Sequence, residues 1–318
     1  MYVVTGGAGF IGSNIIHALN KIGISEIIIV DDLTNGKKIH NLADLTIADY
    51  VDSEDFIAQI SQGKCKRYFK TFFHLGADSS TMEWNGKYLM KNNYEYSKKL
   101  LEFSQDNSIQ FIYASSASVY GRGINGFSEN IENEKPMNAY AYSKFLFDCY
   151  VRKNFDGFRS QVVGLRYFNV YGPREAHKGT MASTIYHFNN QVKENKKVRL
   201  FKGTDGIYNG EQKRDFVYVK DCAMVNLWMN ENPNIYGIFN VGTGVSRTFN
   251  DVAKNVINFN NFGEIEYIDF PDGLIGSYQN YTCADISHLR GVGYDRQFHS
   301  IESGIQDYLT WLNNNSDA

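Results

Sequence analysis

Short apolar runs alternate with segments of helical periodicity over the first half of the chain. The apolar runs lie at residues 1–5, 27–30, 71–77, 111–116 and 162–174. Short buried strands separated by helices are typical of a parallel sheet that is covered on both faces. The pattern therefore predicts an α/β fold in which residues 1–170 form a Rossmann-type, doubly wound parallel sheet.

The spacing of apolar residues loosens after the fifth run. Residues 202–213 hold three glycines and few apolar side chains, which predicts a loop, and strand-like runs return at 213–219 and 237–242. We expect the segment from about 215 to 245 to return to the first domain. Residues 171–318 should mainly form a smaller mixed α/β domain that binds the substrate.

Composition indicates a globular protein with a full core. The chain has 318 residues, of which 43% are hydrophobic and 21% are charged, and its formal net charge is -3. This charge balance gives no reason to expect nucleic acid or a membrane as a partner. The four cysteines form no Cys-x-x-Cys pair, and no metal-binding pattern is expected. A strand-like segment begins directly at Met1, so we expect no signal peptide and a cytoplasmic protein.

Glycines recur every third residue directly after the first apolar run. Gly6, Gly9 and Gly12 stand between a predicted strand and a predicted helix that continues through Leu19. In that context glycines allow a tight turn, close approach of a pyrophosphate to backbone N–H groups and tight packing of helix on strand. The alternative, a purely structural turn, is disfavoured by the strand before the motif and the helix after it.

The second apolar run ends on two acidic residues, about twenty positions after the glycines. Asp31 and Asp32 stand where a carboxylate would bind an adenosine ribose, which favours NAD. Lys37 and Lys38 follow closely, and either could neutralise the 2′-phosphate of NADP instead. A solvated loop explains these two lysines at least equally well. The two signals conflict, and the residues alone leave the choice of NAD or NADP open.

Tyr140 and Lys144 are the strongest candidates for catalysis. Their spacing places a phenol and an ammonium on one face of a helix, where the cation should favour the phenolate and make Tyr140 a general base. Ser116 ends an apolar strand-like run before them and would bind the reacting oxygen. Tyr94 and Lys98 share the spacing, but no hydroxyl arrives before them, so we interpret them as an ordinary helix pair.

Three other polar positions have weaker interpretations. His74, near the end of the third apolar run, is expected to be packed or hydrogen-bonded within its strand and not catalytic. Asn92 and Asn93 would contact the cofactor or simply pack in a helix. Lys213 and Arg214 suit an anion at a domain cleft, although a surface basic pair explains them equally well.

The motifs together resemble those of the extended short-chain dehydrogenase/reductase superfamily, whose members mostly act on nucleotide sugars. The matching segments are Thr5 to Gly12, Tyr113 to Gly121, Tyr140-x-x-x-Lys144 and Arg166 to Pro173. Within that superfamily the chain is most similar to the ADP-L-glycero-D-manno-heptose 6-epimerases. That resemblance runs nearly end to end and is carried by residues 41–50, 79–88, 142–148, 174–183 and 213–219.

The resemblance implies roles for residues that chemistry alone would not single out. Around the nicotinamide cofactor it places Phe10, Ile11, Asp31, Asp32, Lys38, Leu75, Gly76, Ala77, Asp78, Ser79, Asn92, Lys144 and Val170. Around the ADP-sugar it places Asn169, Thr180, His187, Phe201, Lys202, Gly203, Thr204, Arg214 and Tyr278. It makes Tyr140 and Lys178 the two acid/base groups, although a lysine in a polar loop is usually just solvated.

The implied reaction is inversion at C6 of the heptose through a transient ketone. The resemblance favours NADP as cofactor with NAD as the alternative, and Asp32 and Ser53 depart from the family pattern at positions that bear on this choice. It also implies an ADP-sugar substrate, a homo-oligomer that is a pentamer, and a product used for lipopolysaccharide. The second proton-transfer group is expected because the C6 oxygen occupies a different position in each epimer.

Two other functions stay open at this point. The first is another nucleotide-sugar enzyme, either a UDP-hexose 4-epimerase or a 4,6-dehydratase. The dehydratase is disfavoured because Ser116-Ala117-Ser118 is not followed by the acidic pair that drives loss of water. The second is a non-catalytic regulator that binds NAD(P), and the complete set of Ser116, Tyr140 and Lys144 argues against it.

Overall fold

The computed structural model describes residues 1–65, 68–204, 206–270 and 279–315. Over these residues the strands are β1 (Tyr2–Thr5), β2 (Ile27–Asp31), β3 (Asp49–Asp52), β4 (Thr71–His74), β5 (Gln110–Ser116), β6 (Val162–Tyr167), β7 (Asn169–Tyr171), β8 (Lys197–Phe201), β9 (Lys213–Tyr218), β10 (Gly237–Val241), β11 (Ser246–Thr248) and β12 (Glu264–Ile268). The helices are α1 (Phe10–Lys21), α2 (Ser53–Ser61), α3 (Gly86–Leu89), α4 (Tyr96–Asp106), α5 (Ala139–Lys153), α6 (Thr184–Asn195), α7 (Val219–Glu231), α8 (Phe249–Asn260), α9 (Ser287–Gly291) and α10 (Ile301–Asn314).

A large parallel sheet forms the centre of the molecule. In the described part of the chain it has seven strands in the order β10-β6-β5-β4-β1-β2-β3. Val3, Val4 and Ile28 to Val30 are fully buried between two layers of helices. Strands that are buried on both faces are apolar throughout, and this explains why the sequence pattern found them. The predicted doubly wound α/β sheet is confirmed.

Two small sheets lie beyond the large one. In the described residues, β11, β9 and β7 form a three-stranded sheet, and β12 pairs in parallel with β8. A second apolar core packs these strands against α6, α8 and α10, with Ile185, Val198 and Val256 fully buried or nearly so. The strand-like run at 213–219 thus belongs to the small sheet as β9, whereas β10 pairs with β6.

The run at residues 162–174 was predicted to be one strand, and this is wrong. It divides at Phe168 into β6 in the large sheet and β7 in the small one. The sequence also did not predict the π-helical segment Met90–Glu95 that precedes α4. Apolar periodicity does not show the division at Phe168, because it depends on which strands β6 and β7 pair with.

Candidate functional site

The proposed site residues collect at the carboxyl edge of the large sheet. β1, β2, β4 and β5 are parallel neighbours, so the turns that follow them open on the same side. In doubly wound sheets this crevice is where ligands bind. Four predicted features therefore lie along one edge of the sheet, namely the glycine turn, Asp31, the turn after His74, and Ser116. They are far apart in the sequence, and the fold brings them together.

The glycine turn fits a pyrophosphate. Gly6 has φ 65°, and a Cβ there would lie 2.8 Å from the Gly76 backbone nitrogen. A Cβ on Gly12 would lie 2.2 Å from the Gly6 carbonyl oxygen. α1 begins at Phe10 directly after Gly9, and no side chain caps its first N–H groups. Bare backbone N–H groups at a helix N-terminus suit a phosphate, so these residues fit the predicted dinucleotide.

Asp31 and Lys38 lie where the adenosine end of such a cofactor would be. The Asp31 carboxylate is buried and accepts hydrogen bonds from the Ala8 N–H at 2.8 Å and the Asp32 N–H at 2.7 Å. Lys38 Nζ lies 2.9 Å from Asp31 Oδ1 and donates to the Asp32 carbonyl at 2.8 Å. Asp32 is exposed, and a hydrogen bond from Thr34 lowers its pKa. At this position Lys38 is therefore paired with Asp31, and the carboxylate of Asp32 is exposed.

The predicted cofactor segment Leu75 to Ser79 forms the turn after β4. Leu75 N–H donates to the Thr5 carbonyl at 3.0 Å, and Gly76 N–H donates to Thr5 Oγ1 at 3.1 Å, so the turn is held against β1. Ala77 is partly buried and Ser79 is exposed. Asp78 N–H donates to Asn93 Oδ1 at 2.8 Å. These bonds fix the turn beside the glycines.

The structure separates the two asparagines that the sequence left equivalent. Asn93 is buried, and its amide also donates to the Asp78 carbonyl at 3.0 Å and to Ser143 Oγ at 3.0 Å. Asn92 is partly exposed and interacts with Tyr88. Asn93 therefore packs the turn against α5, and Asn92 is the asparagine whose side chain remains near the surface of the site.

His74 lies within its strand end, as predicted. It is buried, with Nδ1 2.7 Å from Thr5 Oγ1 and Nε2 2.7 Å from Ser97 Oγ. Burial lowers its pKa to about 3, so the ring is neutral at physiological pH. Both ring nitrogens are used within the protein, and the histidine therefore ties β4 to β1 and α4.

Ser116, Tyr140 and Lys144 are brought together at the end of β5. Asn138 caps α5 by accepting from the Ala141 N–H at 2.7 Å, which sets the start of the helix that carries Tyr140 and Lys144. The Tyr140 hydroxyl is hydrogen-bonded to Ser116. Lys144 is buried, and its Nζ donates to the Ala114 carbonyl at 2.9 Å.

The predicted lowering of the Tyr140 pKa by Lys144 is wrong for this arrangement. Burial raises the pKa of Tyr140, the hydrogen bond from Ser116 opposes that rise, and the Asp78 carboxylate adds to it. Burial also lowers the pKa of Lys144 to about 8. Desolvation outweighs the attraction that the four-residue spacing suggested, so Tyr140 holds its proton at neutral pH.

A buried charge network lies beneath these residues, and sequence reasoning missed it. Asp148, one turn after Lys144, accepts from Tyr113 Oη at 2.8 Å and Ser115 Oγ at 2.8 Å. Arg166 Nε donates to Asp148 Oδ2 at 2.9 Å, and its NH2 group lies 2.5 Å from Glu134 Oε1. All three charged side chains are buried. One signal in the sequence could have revealed the network. Asp148 follows Lys144 by four residues, so it lies on the same face of the helix as Tyr140 and Lys144.

Lys178 does not have the surroundings of a solvated lysine. It lies in the 3-10 turn Ala176–Met181, and its Nζ is 5.1 Å from the centre of the Phe10 ring. Burial lowers its pKa, and the nearby Glu175 carboxylate opposes this effect. Glu175 is fully buried and accepts from the Ser183 N–H at 2.5 Å and Ser183 Oγ at 2.7 Å. Glu175 was not found from the sequence.

Other residues predicted around the substrate lie on the small sheet and near it. Asn169 and Val170 belong to β7, which pairs with β9, the strand that carries Arg214. The Arg214 guanidinium lies 5.7 Å from the centre of the Phe249 ring. His187 Nε2 lies 3.3 Å from the Thr180 carbonyl oxygen. Asn169, Val170 and Arg214 thus share the three-stranded sheet, whereas His187 and Thr180 contact each other.

The remaining predicted substrate residues follow β8. Phe201 ends that strand, and its ring lies 4.8 Å from that of Phe270. Lys202 is exposed and lies 2.7 Å from Asp269, and a Cβ on Gly203 would lie 1.7 Å from the Ile207 carbonyl oxygen. The Thr204 carbonyl accepts from the Ile207 N–H at 3.0 Å. Tyr278 lies outside the described residues.

The chain belongs to the NAD dependent epimerase/dehydratase family, whose family model matches residues 2–242. It is 54% identical over 309 residues to an ADP-L-glycero-D-manno-heptose-6-epimerase of Alkalilimnicola ehrlichii, an alignment that covers 97% of this chain and 96% of the relative. The resemblance inferred from the sequence motifs is thereby confirmed.

Solved structures share the fold over nearly the whole chain. An ADP-L-glycero-D-manno-heptose-6-epimerase of Helicobacter pylori has a TM-score of 0.82 at 29% identity, covering 98% of this chain and 96% of that one. A UDP-N-acetylglucosamine 4-epimerase of Methanobrevibacter ruminantium has a TM-score of 0.85 at 28% identity, covering 98% of both chains. The fold alone therefore does not separate these two sugar specificities.

Among the helices that the structure describes, none is both long enough and apolar enough to cross a membrane.

Proposed function

We propose that this protein is an ADP-L-glycero-D-manno-heptose 6-epimerase, an isomerase that interconverts ADP-D-glycero- and ADP-L-glycero-D-manno-heptose. The observation that carries the proposal is the 54% identity over 97% of the chain to an enzyme of that name. The arrangement of Ser116, Tyr140 and Lys144 beside a glycine turn supports a catalytic protein and not a regulator that only binds NAD(P).

We propose NADP as the cofactor, with NAD as the alternative. The Asp31 carboxylate already accepts from two backbone N–H groups and Lys38, so it is less available to ribose hydroxyls. Lys38 adds an ammonium at the same place, which suits a 2′-phosphate. Gly6, Gly9, Phe10, Ile11 and Gly12 would hold the pyrophosphate. Leu75 to Ser79, Asn92, Lys144 and Val170 would line the rest of the cofactor.

Tyr140 and Ser116 would act on the oxygen at C6 of the heptose. A bound nicotinamide supplies the hydride acceptor and donor at that carbon. Only the phenolate of Tyr140 can accept a proton, so Tyr140 would act as the base from its ionised fraction. It would take the hydroxyl proton as the alcohol becomes a ketone and, as a phenol, return it in the reverse direction. Ser116 Oγ would donate to the carbonyl oxygen and stabilise its partial negative charge. Lys144 would bind the nicotinamide ribose.

Lys178 would serve as the second proton-transfer group. Its ammonium packs on Phe10, the first residue of the helix that follows the glycine turn, and therefore lies on the cofactor side of the site. Burial lowers its pKa, which makes the neutral amine more accessible than in a solvated lysine. Tyr140 and Lys178 would then serve the two positions of the C6 oxygen.

The remaining predictions belong to the same proposal. The ADP-sugar would contact Asn169, Thr180, His187, Phe201 to Thr204, Arg214 and Tyr278. Residues 1–170 with about 215–245 would bind the cofactor, and the rest of 171–318 would mainly bind the substrate. We propose a cytoplasmic homo-oligomer, a pentamer, whose product is used for lipopolysaccharide.

The test is to incubate the purified protein with ADP-D-glycero-D-manno-heptose and to separate the products by chromatography with mass spectrometry. We expect a second peak of unchanged mass that approaches an equilibrium mixture. A product lighter by one water would indicate a dehydratase. Conversion of UDP-glucose or UDP-N-acetylglucosamine, with none of the ADP-heptose, would assign the chain to the UDP-sugar epimerases instead.

A further inference from the structure

The segment that precedes Lys178 is bonded along its length to the cofactor-binding part of the chain. The Asn14 amide donates to the Pro173 carbonyl at 2.9 Å. The Arg174 guanidinium donates to the Asn41 carbonyl at 2.6 Å and lies 2.6 Å from an Asp44 carboxylate oxygen. Arg174 adopts φ 72°, a conformation that is unusual for a side chain of its size. The segment is thus held by specific contacts.

Asn41 connects this segment to the glycine turn. Its side chain is buried, and Nδ2 donates to the Ala8 carbonyl at 2.9 Å and lies 3.0 Å from His177 Nδ1. Because the amide nitrogen is a donor, His177 Nδ1 is the acceptor and the ring proton is on Nε2. One side chain therefore joins a carbonyl between two glycines to the residue directly before Lys178.

His177 suits this role as an acceptor. Burial lowers its pKa, and the Lys38 and Lys178 ammonium groups lower it further, while Asp31 and the Arg174 carbonyl oppose them. A neutral ring keeps Nδ1 free to accept at physiological pH. The contact with Asn41 is therefore maintained under the conditions in which the enzyme works.

We propose that Asn41 is a positioning residue for Lys178, because its amide fixes the His177-Lys178 turn against the Ala8 carbonyl of the glycine turn. The proposal rests on the proposed role of Lys178 as the second proton-transfer group. Asn41 is buried, and in this proposal it acts through His177 and not on the sugar.

Lys178 needs such support because its turn is short. The 3-10 turn Ala176–Met181 contains Gly179 at φ 56°, and a Cβ on this glycine would meet no atom within 4 Å. A lysine side chain has four rotatable bonds, so its ammonium is placed only as precisely as its backbone is held. A displacement of about 1 Å at a proton-transfer group lowers a rate by up to roughly 100-fold.

The experiment measures the rate at which each pure epimer reduces the bound nicotinamide in a single turnover, followed by its absorbance, in Asn41→Leu and His177→Phe. Lys178→Met identifies the epimer whose oxidation depends on Lys178. We expect the oxidation rate of that epimer to fall about tenfold in both variants, with less than about a twofold change in the oxidation rate of the other epimer. His177→Gln keeps an acceptor oxygen for the Asn41 amide and should recover most of the lost rate.

Asn20→Leu is the matched control. Asn20 is also a bridging asparagine, which donates to the Ile24 and Thr46 carbonyls at 2.8 Å each, but it lies at the other end of α1. We expect this variant to leave the ratio of the two oxidation rates unchanged. If Asn41→Leu does not fold, as judged by circular dichroism, His177→Phe decides, because its partly exposed ring lies outside the core.

The outcomes separate the two proposals. Equal losses for both epimers in Asn41→Leu and His177→Phe, or no losses, would overturn the positioning role while wild type and Lys178→Met still behave as proposed. An inactive wild type, or a Lys178→Met variant without preference between epimers, would overturn the proposed function and the positioning role with it.

Discussion

At the scale of single residues, the site holds one buried lysine, Lys144, and one partly buried lysine, Lys178. Burial lowers the pKa of Lys144 to about 8 and also lowers that of Lys178. Lys144 Nζ donates to the Ala114 carbonyl, which suits a lysine that binds a ligand. Lys178 Nζ lies over the Phe10 ring, whose face attracts the charged ammonium and so opposes the effect of burial on the Lys178 pKa.

Substitution of the two proposed proton-transfer residues should affect the oxidation of the two epimers differently. Tyr140→Phe should slow the oxidation of one epimer at least about 100-fold, since general acid–base groups contribute about 10²–10⁴-fold. Lys178→Met should slow the oxidation of the opposite epimer more. The single-turnover rate of cofactor reduction by each pure epimer measures this, and the cofactor content of each variant shows that binding is retained. Wild-type kinetics in Lys178→Met would show that Lys178 takes no part in proton transfer.

The pH dependence of the Lys178 step should respond to Glu175. Lys178 acts as a base only when neutral, so that rate rises with pH through its pKa. Ionised Glu175 raises the pKa of Lys178, and Glu175→Gln should therefore move the rising limb of the pH–kcat profile to lower pH. The profile from the other epimer serves as the internal control. A limb that stays in place, or moves to higher pH, would contradict the proposed coupling.

What the sequence could predict at this scale depended on local spacing. Ser116, Tyr140 and Lys144 were predicted because they form a motif within one strand and one helix. Asn41 and Glu175 were not, because they act through Ala8, His177 and Ser183, contacts that only the folded chain reveals. The prediction that the pKa of Tyr140 is lowered failed for the same reason, since burial is not visible in a spacing of four residues.

At the scale of elements, one buried charge network joins β5, β6 and α5. Ser115 and Arg166 are partners in the register of β5 and β6, and Asp148 of α5 bonds to both. The Asp148 carboxylate thus fixes α5, the helix that carries Tyr140 and Lys144, over the two strands. Paired charges in a core are costly to separate, so the network specifies the relative position of these elements.

Arg166→Met should leave Asp148 and Glu134 buried beside an apolar side chain. We expect the free energy of unfolding to fall by about 3–5 kcal/mol, measured from urea denaturation. Arg199→Met is the control, because Arg199 is 61% exposed where it pairs with Glu266, and removal of an exposed pair costs about 0–1 kcal/mol. Similar losses in the two variants would show that the network contributes no more than a surface pair.

Element boundaries were harder to predict than element types. The strands β1, β2, β4, β5 and β6 were visible as apolar runs, because both faces of the large sheet are covered there. The edge strand β3 was missed, because Asp49–Asp52 has an aspartate at each end and is only partly buried. The division at Phe168 was not visible, since β6 and β7 are both apolar and only their partners, β10 and β9, differ. The π-helical turn at Met90–Glu95 was missed because one such turn is too short to establish a periodicity of its own.

At the scale of the whole molecule, the cofactor should stabilise the fold, because a ligand that binds only the native state adds to its stability. Removal of the nicotinamide cofactor should lower Tm. At equal concentrations NADP should restore it further than NAD. At about 100 times Kd, binding contributes about 2.7 kcal/mol.

Two lysine variants identify the source of this preference. Lys38→Ala should abolish the advantage of NADP in thermal unfolding and keep the effect of NAD. Lys37→Ala is the matched control, since Lys37 is exposed and next in sequence, and it should keep the advantage. An equal effect of both dinucleotides on the Tm of the wild-type protein would contradict the proposed preference for NADP.

The strand order also has a consequence for synthesis of the protein. β6 acquires its outer neighbour only from β10, which lies far later in the chain, and the ribosome adds about 5–20 residues per second. For several seconds the nascent chain therefore carries every strand of the sheet but one, with the β6 edge open to other chains. We expect translation that stops between Tyr167 and Gly237 to yield aggregating fragments, and chaperones to be needed most in that interval.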